Sequence, residues 1–104
     1  MEEREHLENW KRTLRRGLDD TNQELTRLKK EYRKEKEFRD IQIDRLERWI
    51  KDEDIKSDVR EDLEESLDLL KEKQAEKEER ISWLETSKKS TELMIRKIEE
   101  ENNG

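Results

Sequence analysis

The chain has no cysteine and no proline, a single histidine, five aromatic residues, and one glycine, Gly17, ahead of its final residue. Each absence removes a class of structure or chemistry. Without cysteine there is no disulfide framework and no thiolate metal site, so redox chemistry sets no compartment and cytoplasmic is the default localisation. Without proline, and with one internal glycine, almost nothing interrupts a helix from within. No apolar run approaches the roughly 20 residues of a membrane span, so no membrane partner is expected. The opening Met-Glu-Glu-Arg-Glu-His is too charged for a secretory signal. There is no glycine-rich phosphate loop and no nucleophile with a histidine partner.

What is present is charge. Charged residues make up 54% of the 104 and hydrophobic residues 27%, proportions that on their own suit a disordered chain. The charge is mixed, however, with 25 basic against 31 acidic residues. Glu, Lys, Arg and Leu without breakers mark long helices and coiled coils. The length allows one domain, 1–104. The net charge of −6 argues against a general polyanion binder. Residues 1–52 hold 15 basic and 14 acidic residues, whereas residues 53–104 hold 10 and 17, so the second half suits a role as acidic partner to the first.

A single heptad register runs through the chain. With Arg4 at a and Leu7 at d, the seam carries Leu7, Leu14, Leu18, Leu25, Leu28, Tyr32, Leu46, Trp49, Leu63, Leu67, Leu70, Ile81, Leu84, Ile95 and Ile98 without a slip. About half of the seam is polar, and further apolar residues at e and g (Trp10, Phe38, Ile43, Ile50, Val59, Met94) widen the stripe. A wide stripe suits a helical bundle or oligomer better than a two-stranded rope.

The polar seam residues select the pairing. A parallel dimer would set Arg4, Lys11, Glu35, Arg39, Glu53, Lys56, Arg60, Lys77 and Lys88 each against its own copy. Folding the chain between Asp54 and Ile55 instead sets position i opposite 109 − i. Leu25 then faces Leu84, Leu28 faces Ile81, and Leu46 faces Leu63. Tyr32 faces Lys77 and Trp49 faces Arg60, two cation–π opportunities, while Glu35 faces Gln74. At the flanks Arg15 reaches Glu92 or Glu99, Lys29 reaches Glu78 or Glu85, and Lys36 reaches Glu78; Lys36 opposite Lys71 and Glu8 opposite Glu99 are the blemishes. The expected fold is all-α: a long antiparallel helical hairpin of coiled-coil type, helices about 3–51 and 58–102, associating into a bundle. An antiparallel swapped dimer shares the same pairing. Ser57 is the favoured N-cap of the second helix and Asp54 its rival. Gly17 followed by Thr21 and Glu24 allows a break, but the seam crosses it in register. One helix is expected there, with Gly17 making room for a bulky neighbour.

No enzyme is read from this chain, and no cofactor or metal. Glu3 and His6 match half of a helical di-iron motif, but no second half exists, and a solvated histidine is the plainer reading. The expected function is a coiled-coil interaction, oligomerisation or scaffold module. Its expected partner is a second copy, as a homodimer, or another helical protein. The self-association residues are read as Phe38, Ile43, Leu46, Trp49, Ile50, Val59 and Leu63. An alternative is a nucleic-acid-associated oligomerisation module whose basic segment, Arg27, Lys29, Lys30, Arg33 and Lys34 beside Tyr32, touches phosphates. It is not favoured, because the acidic second half already offers those cations partners. A designed bundle with no evolved function is a third reading, opposed by the single Ala and the polar seam.

Overall fold

The computed structural model describes residues 2–103. The chain is an antiparallel helical hairpin of two helices, α1 (Glu2–Ile50) and α2 (Ser57–Asn103). Each helix end lies one residue from the position expected of the sequence. Compactness divides the chain into a terminal unit, Met1–Leu28 with Ile81–Gly104, and a turn unit, Lys29–Arg80.

In the terminal unit the buried residues are Leu25, Leu84 and Ile98. Leu25 and Leu84 are the two that the 109 − i rule sets opposite each other. Glu2, Glu3 and Glu5 occupy the first turn of α1, where the helix dipole favours negative charge. The last turn of α2 has no basic residue of its own. α1 supplies one: Arg4 Nη2 donates to the Asn102 carbonyl at 3.2 Å. Asn102 Nδ2 in turn donates to Glu8 Oε1 at 2.8 Å. On the flank, Arg15 pairs with Glu99 at 2.8 Å, one of the two partners foreseen for it.

Gly17 does not break α1, and it does not make room for a neighbour. A Cβ built there meets nothing within 4 Å. Thr21 is not a cap either; its hydroxyl donates back to the Gly17 carbonyl at 2.9 Å. Thr13, Thr26 and Thr91 bond the carbonyl four residues earlier in the same way, so these mid-helix hydroxyls stay satisfied.

The turn unit shows why a hairpin can close here with neither Gly nor Pro. No described non-glycine residue has positive φ, so every turn residue keeps a conformation open to any side chain. The end of α1 tightens through bonds from Lys51 N to Arg48 O (3.2 Å) and from Asp52 N to Trp49 O (3.1 Å), both of the i to i−3 kind. Asp52 Oδ1 then accepts from Asp54 N at 3.0 Å, an Asx-type turn. The first helical bond of α2 runs from Arg60 N to Lys56 O at 2.9 Å. Lys56 therefore holds the N-cap position expected of Ser57 or Asp54, and Asp58 Oδ1 takes the Val59 N–H at 2.9 Å.

Arg60 closes the turn. Its Nε donates to Ile50 O at 3.0 Å, and its Nη2 donates to Asp52 O at 2.9 Å and Ile55 O at 3.5 Å. The layer foreseen as Trp49 against Arg60 thus takes another form: the guanidinium serves the last carbonyl of α1, at Ile50, and two carbonyls of the turn.

Two stability outcomes follow. Gly17→Ala should raise stability by about 1 kcal/mol, the helix-propensity difference in open space, in urea unfolding followed by circular dichroism. A loss instead would mean that the site is closely packed. Arg60→Ala should lower stability by about 1–3 kcal/mol, and Arg60→Lys should recover little of it, because an ammonium cannot reproduce the guanidinium fork.

Candidate interaction surface

Two features of the turn unit stand out: a polar layer in the seam and an apolar outer flank. The polar layer joins Tyr32, Glu35 and Arg39 of α1 to Gln74, Lys77 and Glu78 of α2. Tyr32 donates its hydroxyl to Glu78, which also accepts from Gln74 Nε2 at 3.3 Å. Lys77 donates to Glu35, whose carboxylate also takes Arg39 Nη2 at 3.2 Å. The expected partners are therefore exchanged. Lys77 meets Glu35 rather than the Tyr32 ring, and Tyr32 bonds a carboxylate one position on. Lys36, foreseen on Glu78, pairs with Asp40 at 2.8 Å, and Lys71 relieves the Lys36–Lys71 blemish by pairing with Glu47 at 3.2 Å.

These bonds shift the acids in the layer. The hydrogen bond from Lys77 holds the Glu35 carboxyl below its ordinary 4.5, and the bonds from Tyr32 and Gln74 do the same for Glu78. The bond to the Glu78 carboxylate pushes the Tyr32 phenol above its usual 10.0. Arg39 Nη1 and Gln74 Oε1 are buried without partners, a donor and an acceptor left over by the same layer. Such a layer fixes the stagger of the helices, because displacing it by one turn would leave several charges unmatched.

The outer surface is sorted by side. Around a heptad helix, c, g and d form one flank, and e and b form the other. In the turn unit the exposed large apolar residues are Phe38 (65%), Ile41 (55%), Trp49 (52%), Leu69 (52%) and Val59 (47%). All five sit at g, c or d. Ile41, Leu46, Trp49, Leu69 and Leu70, with Arg45, line an open groove of about 530 Å³ on that flank. The e positions of the turn unit are polar or charged except for Ile43 and Ile50, and both of these are half-buried. In the terminal unit the exposed Trp10, Trp83 and Met94 are likewise at g or c, and Leu93 is at f.

Of the residues read from the sequence as a self-association surface, Phe38, Trp49 and Val59 lie exposed on the apolar flank, while Leu46 and Leu63 are half-buried seam positions. Ile43 and Ile50 belong to the other side. Ile41 and Leu69 lie exposed on the same flank at c, a position a seam-centred reading treats as solvent. Sorting the off-seam apolar residues by flank would have found them.

The basic segment does not form one strip. Arg27 and Lys34 are at c, Lys29 at e, Lys30 at f and Arg33 at b, spread around the outer half of α1. Arg27 and Lys29 already have partners within the chain. Among the described residues no three His, Cys, Asp or Glu side chains are grouped to hold a metal ion, and no helix is long and apolar enough to cross a membrane. Comparison with protein families, curated proteins and solved structures found no match to this chain.

The polar layer makes stability depend on acid. Glu35 and Glu78 have depressed folded-state pKa values, so their contribution is complete above about pH 4.5, the unfolded value, and is lost as pH falls through the folded values. The urea midpoint should therefore fall as pH drops below about 4.5, and Glu35→Gln should make that fall shallower. An unchanged slope in the variant would remove Glu35 from the acid response.

Proposed function

We propose that this chain is a non-enzymatic interaction module that self-associates through the apolar flank of its hairpin and serves as an oligomerisation scaffold. The observation that carries this reading is the segregation of exposed apolar residues. Five large apolar side chains in the turn unit are about half exposed or more, and all lie on the c, g, d side. Scattered surface apolar residues are ordinary; a one-sided set flanking an open groove marks an interaction surface.

A second observation points the same way. The chain exposes 8452 Å², whereas a compact monomer of 12.9 kDa exposes about 6300 Å². The surplus is surface that a partner can cover. Covering it would also add to a core that, among the described residues, holds Leu25, Leu84 and Ile98.

Sedimentation equilibrium over micromolar to sub-millimolar concentrations is the direct test. The expected mass is twice the 12.9 kDa of the chain. Ile41→Glu and Leu69→Glu should each raise the dissociation constant at least about tenfold while leaving helical circular dichroism intact. A strictly monomeric wild-type chain across that range would refute the reading.

A further inference from the structure

Building on the self-association proposed above, we infer that the partner is a second copy of this chain, seated so that α1 of each copy lies on α2 of the other with the two turns at the same end. The apolar flank alone does not choose this arrangement. The charges at the rim of the flank do.

Position c forms the outer edge of the flank. In the turn unit α1 presents Lys34, Ile41 and Arg48 there, and α2 presents Asp62, Leu69 and Glu76. All six are exposed. Stack two hairpins flank to flank about a two-fold axis parallel to the helices. Residue i of α1 then stands level with 109 − i of the other copy's α2. Lys34 comes within one position of Glu76, Ile41 within one of Leu69, and Arg48 within one of Asp62. One edge thus reads basic, apolar, basic, and the edge it meets reads acidic, apolar, acidic. The two-fold axis repeats the match on the other side of the interface.

The alternative stacking turns the second copy end for end and lays α1 on α1 and α2 on α2. Lys34 and Arg48 would then share one edge with their own copies, and Asp62 and Glu76 the other, so like charges oppose. Intramolecular pairing does not account for these groups. Among the described residues Lys34, Asp62 and Glu76 enter no ion pair, and Arg48 shares Asp44 (3.2 Å) with the closer Arg45 (2.6 Å). The groove beside Ile41 and Leu69 opens on the same flank and is covered by this stacking.

Charge reversal in two separate chains tests the arrangement. Lys34→Glu with Arg48→Glu in one chain, or Asp62→Arg with Glu76→Lys in another, should each weaken self-association about tenfold or more. Mixing the two variants should restore wild-type affinity, because every reversed edge then meets its complement. Circular dichroism on each variant checks that the hairpin persists. A direct readout uses the absence of native cysteine. Ile41→Cys chains mixed with Leu69→Cys chains should join through a short bis-maleimide, and neither alone should join to itself. If the wild-type chain dimerises but mixing gives no rescue, or Ile41→Cys links to itself, the arrangement is wrong and self-association stands. If the wild-type chain stays monomeric, both readings fall together.

Discussion

The hairpin depends on an exchange between helix ends. An α-helix finishes with carbonyls that have no partner within it. Here an arginine near the start of each helix reaches a finishing carbonyl of the other: Arg60 serves Ile50, and the turn carbonyls of Asp52 and Ile55 besides, and Arg4 serves Asn102. Both arginines stand at seam position a, where a parallel pair would oppose each to its own copy. Antiparallel order turns the same residues into caps. A seam that is half polar needs this, because apolar layers alone are too sparse to choose a partner or a stagger.

Between those ends, the layer of Tyr32, Glu35, Arg39, Gln74, Lys77 and Glu78 carries the same logic inward. Two of its bonds, Tyr32 to Glu78 and Lys77 to Glu35, cross the seam, and they can form together in one alignment of the two helices. Apolar layers tolerate small slips, since one Leu resembles the next, whereas a lysine displaced from its glutamate does not. The polar seam residues therefore give the pairing its specificity, and the leucines give it cohesion.

Much of this was legible in the sequence, for a physical reason. Heptad spacing and the mirror arrangement of Leu25 with Leu84, and of Arg15 with Glu99, are properties of residue order, and order is what a sequence records. The misreadings share a different cause. Mirror pairing sets Lys77 opposite the Tyr32 ring, yet it meets Glu35, because long side chains reach a full turn up or down their helix. Ser57 reads as the cap by residue type, yet Lys56 holds that position, because its carbonyl accepts the first helical bond, from Arg60 N. Gly17 was given a packing role, yet open space surrounds it, and packing at a surface position leaves no periodic trace. The apolar flank was blurred by joining Ile43 and Ile50 at e with Phe38 and Val59 at g.

The two arginine caps have a consequence for chain length. Each ties the beginning of one helix to the end of the other within its own unit. A residue deleted from α1 alone would pull Leu25 out of line with Leu84, rotate the apolar flank by about 100° beyond the deletion, and draw one cap off its carbonyls. Length can change without these losses only when whole heptads enter or leave both arms at matching heights.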